Sequence, residues 1–408
     1  MLQTRLPTRC SRLPAFDGRR LWFAGIGGAG MSALAVVTRS LGAEVAGWDR
    51  VETPYLEALT EVDVKISPAP PAPPDGWEVV VSTAYAGIVE GRTRGELLAE
   101  LVSGQRSIVV AGAHGKTTTA SMIAYSLREL DLDPTFLIGG SVAQLGGNAA
   151  AGSGWLVAEG DESDRSLELL KPDIGVLTNV DLDHHSTFSS RVDVEQLFAE
   201  WLAGCGTAVQ GDDLAPVSFE LALAGEHNRR NAAAALAALR LAGVDVDRAA
   251  EALARFRGVG RRLELVGSAG DVTVYDDYAH HPAEIEATLD AMRELHPGSR
   301  ALVLFQPHLY SRTRHLAVEL ANALRAADAV CLTEIYAARE QPVAGVTGKL
   351  VVDALSQRRP GMWIGWAPLV EDAGRLMAHV ASAGDVVLTI GAGDVDRAAT
   401  VILAELNA

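Results

Sequence analysis

Cysteine, lysine and aromatic residues are all scarce in this chain of 408 residues, and each shortage excludes something. The three scattered cysteines, Cys10, Cys205 and Cys331, give no disulfide framework and no thiolate metal-ligand spacing, and are expected as buried thiols. No apolar run approaches the ~18 residues that cross a membrane, and the first residues contain no signal-peptide hydrophobic stretch. The expectation is a cytoplasmic protein with no membrane partner. Basic side chains number 35 against 52 acidic ones, for a net charge of −17. A nucleic-acid binder needs a basic surface, so no nucleic-acid partner is expected. An acidic protein that handles anions must instead gather them at local positive sites. Lysine occurs only at Lys65, Lys116, Lys171 and Lys349, which gives each one more weight than usual. Apolar residues are plentiful at 48%, enough for buried cores in a chain long enough for several domains.

One of those lysines sits in a telling place. Residues 111–119 read Ala-Gly-Ala-His-Gly-Lys-Thr-Thr-Thr, after the apolar run Ser107–Val110 and before the helix-like stretch Ala120–Leu127. A buried strand, a glycine turn ending in Gly115-Lys116-Thr117 and then a helix form a triphosphate cradle. Glycines admit phosphate oxygens to the backbone N–H groups, and the helix N-terminus adds a positive dipole. Lys116 would reach the outer phosphates and Thr117 would ligate Mg²⁺. The general pattern wants a glycine where this chain has Val110; Gly112 stands closer to Gly115, so the loop is a shortened variant with His114 inside it. These residues point to binding of ATP or GTP.

The chain divides into three α/β parts. From Arg20, strand, glycine turn, helix and strand follow in order, with Gly25-x-Gly27-x-x-Gly30 at the turn and Asp49 closing the second strand. That spacing suits the diphosphate and ribose of NAD(P), of a nucleotide sugar or of another nucleotide, and a purely structural turn shares it. A further strand is expected at Val79–Val81, after the stiff proline run Ser67–Pro74. The second part opens at Ser107 and includes strand-like Trp155–Ala158 and Ile174–Thr178. The third runs from about Leu263, with strands at Val272–Tyr275, Ala301–Phe305, Ala329–Leu332 and Val386–Ile390 and helices at Pro282–Leu295 and His315–Ala326. Alternating strands and helices predict parallel sheets covered on both faces. The expected domains are residues 1–104, 105–264 and 265–408.

Two acidic stretches follow strands of the second part. Glu159-Gly-Asp-Glu162-Ser-Asp164 and Thr178-Asn179-Val-Asp181-Leu-Asp183-His184-His185 both fall at strand carboxyl ends, on the edge that holds the phosphate loop. Carboxylates and an imidazole there suit a divalent cation on nucleotide phosphates, while solvated acidic loops are the plainer alternative. A zinc site at Asp183-His184-His185 lacks a third ligand at suitable spacing.

Taken together the motifs resemble the Mur ligase family. Gly25-Ile-Gly-Gly-Ala-Gly-Met-Ser32, Gly112-Ala-His-Gly-Lys-Thr-Thr-Thr119, the two acidic stretches, Gly225-Glu-His-Asn-Arg-Arg-Asn231, Arg261-Arg262-Leu-Glu264, Asp276-Asp-Tyr-Ala-His-His-Pro282 and Gln306-Pro-His-Leu-Tyr-Ser-Arg-Thr313 occur in the family's order, over about residues 21–394. The resemblance implies a Rossmann-like UDP-sugar domain, a central P-loop ATPase with a parallel sheet, and a Rossmann-like C-terminal domain that closes over the site. It is nearest to the branch that joins L-alanine to UDP-N-acetylmuramate, with ATP and Mg²⁺, in peptidoglycan precursor synthesis. It implies UDP-sugar binding at Gly25, Gly27, Gly28, Gly30, Met31, Ser32 and Asp49. It implies ATP binding at Gly112, Ala113, His114, Gly115, Lys116, Thr117 and Thr118, with Asn231, Arg262 and Asp277. Catalysis falls to Lys116, Glu159 and His184, the metal to Thr117, Glu159 and His184, and the amino-acid side to His281, His308 and Arg312. Singly, each of these has a structural alternative; Asn228 and Asn231, for example, could merely cap the alanine-rich helix that follows.

The chain departs from the family in three respects. Leu309 stands where many alanine-adding members have arginine, which puts the carboxylate anchor on Arg312 or Arg314. The segments Thr83–Arg94 and Gln210–Gly225 are short. Residues 185–205 contain no lysine, against the branches that use a carbamoylated lysine. Rival expectations are a murein-peptide ligase adding a recycled tripeptide, a non-catalytic nucleotide-binding regulator and a nicotinamide dehydrogenase. The chain is expected as a monomer or homodimer, with a hinge near Arg262–Ser268.

Overall fold

In the computed structural model, which describes residues 16–183, 187–338 and 340–408, apolar strands build three sheets. The chain forms two compact units, one of residues 16–182, 187–222 and 228–259, the other of residues 183, 223–227 and 260–408. Cys10, His184 and His185 lie outside the described residues.

The first unit holds two sheets. Strands β1 (Arg20–Ala24), β2 (Glu44–Asp49), β3 (Asp63–Ile66), β4 (Glu78–Val81) and β5 (Arg92–Thr93) are parallel, in the order β3-β2-β1-β4-β5. The order reverses between β1 and β4, where an open sheet leaves a crevice at its carboxyl edge. Helix α1 (Ala29–Ser40) follows the glycine turn, and α2 (Arg94–Gly104) starts at a capping box in which Thr93 and Glu96 exchange bonds.

The second sheet runs β11-β10-β6-β9-β7-β8, built from β6 (Ser107–Ala111), β7 (Thr135–Val142), β8 (Gly147–Ala150), β9 (Leu156–Glu159), β10 (Ile174–Leu177) and β11 (Thr207–Gln210). Its helices are α3 (Lys116–Glu129), α4 (Arg191–Ala203), α5 (Glu226–Leu241) and α6 (Val246–Ala254). All but one of its pairings are parallel. Strand β8 pairs antiparallel with β7 across a tight connection in which Gly146 and Gly147 take positive φ. Phe23 of β1, Leu34 of α1, Leu97 and Leu101 of α2, Val109 of β6, Ala158 of β9 and Trp201 of α4 belong to one continuous buried cluster. The two sheets therefore share a core.

In the second unit β12 (Glu264–Ala269), β13 (Val272–Asp277), β14 (Ala301–Phe305), β15 (Ala329–Leu332), β16 (Trp363–Trp366) and β17 (Val386–Ile390) run β12-β13-β17-β14-β15-β16. Alternation divides the strands between two cores: Val303 and Phe305 of β14 face one, Leu302 and Leu304 the other. Helices α7 (Pro282–Leu295), α8 (Tyr310–Leu324) and α9 (Lys349–Arg358) cover the first face, α10 (Val370–Val380) and α11 (Asp396–Leu406) the second.

Three expectations need correction. The sheets are not wholly parallel, because β12 and β13 form a hairpin whose turn residues Gly270 and Asp271 both have positive φ, as the twist of a two-residue turn requires. The segment expected to be a hinge is thus mostly paired strand. Helix α8 begins at Tyr310 rather than His315, since its polar first turn is fixed by local bonds such as Thr313 Oγ1 to the Leu309 carbonyl at 2.8 Å.

Leu101 is fully buried in the shared core. Leu101→Ala should cost about 2–5 kcal/mol, and hydrogen exchange should speed up in both sheets of the first unit. A rise confined to the first sheet would contradict a shared core.

Candidate functional site

The phosphate-loop segment turns between β6 and α3 on two left-handed glycines, Gly112 at φ +130° and Gly115 at φ +78°. Neither position tolerates a side chain: a Cβ on Gly112 would lie 2.2 Å from Thr178 Oγ1, and one on Gly115 would lie 2.4 Å from Asn231 Oδ1. The residues after β10 brace the loop. Asn179 Oδ1 accepts the His114 N–H at 2.9 Å, while Asn179 Nδ2 and Thr178 Oγ1 donate to the His114 carbonyl at 2.9 and 2.6 Å. His114 Nε2 is 3.4 Å from Asp181. No side chain caps the N-terminus of α3, so its dipole faces the loop.

Lys116 Nζ donates to Glu162 at 2.9 and 3.1 Å and to the Ala113 carbonyl at 3.3 Å. Burial alone would pull its pKa down and favour the neutral amine, but Glu162, Asp161 and Glu159 more than offset this and raise it, so the ammonium stays charged. Glu162 is only 3% exposed and forms an ion pair with Lys116. Beside this pair Thr117 Oγ1 donates to Glu159 Oε2 at 2.9 Å, and the other Glu159 oxygen accepts the Gly139 N–H. Burial pushes the Asp161 carboxyl up, yet the Arg94 guanidinium, Ser163 and Lys116 bring it below its usual range. Asn231 does not cap α5: the helix starts at Glu226, and the buried Asn231 side chain lies in its second turn against Gly115.

The other glycine turn of the first unit follows β1. Gly25 has φ +89°, and a Cβ there would lie 2.5 Å from Ser82 Oγ. Gly27 donates its N–H to Asp49 Oδ2 at 2.7 Å, and Thr53 Oγ1 donates to the Gly27 carbonyl at 2.6 Å. Asp49 therefore ties the tip of the turn to the end of β2. Gly28 precedes α1 with no side-chain cap; Gly30, Met31 and Ser32 form its first turns, Met31 and Ser32 buried.

In the second unit Asp276 and Asp277 end β13. Asp277 accepts the N–H groups of Leu263 at 2.6 Å and Ala279 at 2.8 Å, and burial pushes it up to about 6. Arg261 donates to Asp276 at 2.8 Å and to the carbonyls of Gly391 and Gly393, while Arg262 lies over the Tyr278 ring. Arg312, 5% exposed, donates to both oxygens of Asp183 at 3.0 and 2.9 Å and to His308 Nδ1 at 3.0 Å. His308 stacks on Tyr336, with His280 nearby at 5.7 Å between ring centroids. His281 is buried at the start of α7. Burial pushes the Cys205 and Cys331 thiols up to about 12, which suits inert core positions.

The first unit thus gathers Gly112 to Thr118, Glu159 and Asn231 around one loop, and the second gathers His308 with Arg312. Sequence reasoning gave no role to Glu162, Thr178, Asn179 or Arg94. The motifs containing the first three were visible, but which side chain meets the loop depends on the strand order, with β9 and β10 on either side of β6.

Three family models match the chain in series: "Mur ligase family, catalytic domain" over residues 20–106, "Mur ligase middle domain" over 110–209 and "Mur ligase, glutamate ligase domain" over 261–393. A UDP-N-acetylmuramate–L-alanine ligase of Streptomyces coelicolor is 39% identical, aligned over 94% of this chain and 97% of its own length. One from Desulforamulus reducens is 37% identical over 92% and 96%. Among solved structures, the UDP-N-acetylmuramate–alanine ligase of Thermotoga maritima superposes with a TM-score of 0.78 at 26% identity, covering 94% of this chain and 98% of that one. A murein peptide ligase of Psychrobacter arcticus reaches 0.65 at 25% identity, covering 96% and 99%.

The loop geometry fixes the effect of one methyl group. Gly112→Ala must leave its backbone conformation or displace Thr178, so it should weaken binding of a fluorescent ATP analogue at least tenfold, equivalent to about 1.4 kcal/mol. Unchanged binding would separate this loop from nucleotide recognition.

Proposed function

The chain belongs to the Mur ligase family, and we propose that it is the ATP-dependent ligase that joins L-alanine to the carboxylate of UDP-N-acetylmuramate, supplying a peptidoglycan precursor. The carrying observation is the alignment with ligases of this name over nearly the full length of both chains. The charged phosphate loop supports it from the chemistry. We place the enzyme in the cytoplasm with its nucleotide substrates; among the described residues no helix is long and apolar enough to cross a membrane. We propose domain boundaries near residues 104 and 264.

A carboxylate is a poor acceptor for an amine because its resonance and charge both oppose attack. Transfer of the γ-phosphoryl of ATP to it gives an acyl phosphate with a good leaving group; the alanine amine then displaces phosphate and forms the amide. The first step brings two anions together, so positive groups must be in place beforehand. Lys116 supplies that charge, and Gly112 to Thr118 present backbone N–H groups at the uncapped end of α3. Thr117 and Glu159, joined at 2.9 Å, are hard oxygen donors that fit Mg²⁺. When bound, the ion would neutralise phosphate charge. The family pattern assigns His184 to a second such ion.

Gly25 to Ser32 and Asp49 form the proposed UDP-sugar site, in which Asp49 holds the turn's shape through Gly27. Asn231, Arg262 and Asp277 are proposed for the nucleotide. His281, His308 and Arg312 are proposed for the amino-acid side, where Arg312 orients His308.

The test is a mass-shift assay offering UDP-N-acetylmuramate with ATP and, separately, alanine, glycine, serine and the recycled tripeptide. Alanine should give product and ADP; preference for the tripeptide would transfer the chain to the murein-peptide ligases. Lys116→Ala should abolish turnover. A thermal melt on the same variant separates lost turnover from lost folding.

A further inference from the structure

Arg94 has no part in the chemistry described so far, yet it occupies an unusual position. It is the first residue of α2, and a Cβ on Gly30 would lie 3.0 Å from its Nη1, so its guanidinium sits against the start of α1. Helix N-termini carry positive partial charge, and a cation placed there is unfavourable by itself. The compensation comes from the other sheet. Arg94 Nη2 lies 3.0 Å from Asp161 Oδ2 and 3.6 Å from Asp164 Oδ2, with its side chain only 17% exposed. Thr83, just beyond β4, donates to Asp164 at 2.6 Å and completes the link between the first sheet and the loop after β9.

Asp161 is adjacent in sequence to Glu162, the carboxylate that holds Lys116 at 2.9 Å, and its charge is felt at Lys116. Asp161, Glu162 and Glu159 against the one ammonium leave the loop net negative, where nucleotide phosphates would arrive. Arg94 balances Asp161. We propose that Arg94 is a positioning residue for the phosphate loop: by holding Asp161 against the first sheet it leaves Lys116 with Glu162 as its one strong anionic partner and its remaining field for the nucleotide. This deepens the ligase reading and rests on it, since the loop is taken as the ATP site.

The consequence is a nucleotide effect from a residue in the layer that carries the glycine turn after β1. Arg94→Gln should weaken binding of a fluorescent ATP analogue about tenfold, through Asp161 left without its cation. Arg94→Lys should retain most of the affinity. Asp161→Asn in the Arg94→Gln background should restore binding to near the wild-type value, because the unbalanced charge is then gone. A role in folding alone predicts no such rescue, so a double variant as weak as Arg94→Gln overturns the proposal; so does unchanged affinity in Arg94→Gln. Melting curves on all variants confirm that the folded protein is being titrated. The binding measurement needs no turnover. Failure of wild-type protein to make product from UDP-N-acetylmuramate and alanine would therefore sink the ligase reading while leaving this result legible.

Discussion

The Lys116 ammonium rests on the Glu162 carboxylate, nearly out of water, and a pair in that position is tolerable only when its geometry is held from several sides. Much of the first unit serves that requirement. Gly112 and Gly115 let the chain turn tightly enough to bring Lys116 back over its own loop, where the Gly112 and Ala113 carbonyls accept its remaining bonds. Thr178 and Asn179 hold the loop from β10, and Glu162 arrives from the far side, after β9. The sheet order places both flanking strands beside β6, so a single topological choice brings all the partners together. The result is a largely buried, oriented cation, which is the form in which charge would be most effective at the proposed phosphate site.

Both sheets of the first unit build their proposed anion sites in the same way. Each runs a central strand into a left-handed glycine, and each then starts a helix that no side chain caps. Substitution at either glycine meets a polar side chain, Ser82 at Gly25 and Thr178 at Gly112. They differ in charge. The turn after β1 donates an N–H to Asp49 and holds no lysine, whereas the loop after β6 contains one of the chain's four lysines. A diphosphate that is only held needs backbone donors; a triphosphate whose terminal group is transferred needs a full positive charge at the point of transfer.

Much of this was legible in the sequence, for physical reasons that also explain what was not. Helix Pro282–Leu295 and strands Ala301–Phe305, Ala329–Leu332 and Val386–Ile390 match the structure residue for residue, because each is a regular apolar pattern with clear breakers. The turn between β6 and α3 was readable since Gly-x-x-Gly-Lys encodes its local backbone shape directly. The β12–β13 hairpin was missed although Gly270-Asp271 is a known two-residue turn signal; the expectation of βαβ alternation outweighed it. Arg94 could not be read at all, and Glu162 could be read only as one carboxylate of an acidic stretch. Their meaning lies in pairings 67 and 46 residues away along the chain, which only the sheet order creates.

The second unit raises a different constraint. Arg261 and Leu263 both have left-handed backbones, at φ +59° and +47°, a conformation that costs a side-chain-bearing residue of order 1 kcal/mol or more. It persists because the surroundings over-determine it. The Arg261 side chain donates to Asp276 and to two carbonyls after β17, and the Leu263 N–H donates to Asp277. Those carboxyls are themselves costly: burial raises both, Asp277 to about 6. A strand end selected for stability alone would carry apolar residues and an unstrained turn. Two buried acids held by a twisted segment of non-glycine backbone are the local cost that accompanies the role proposed for Asp277, with stability supplied by the two apolar cores on either face of the sheet.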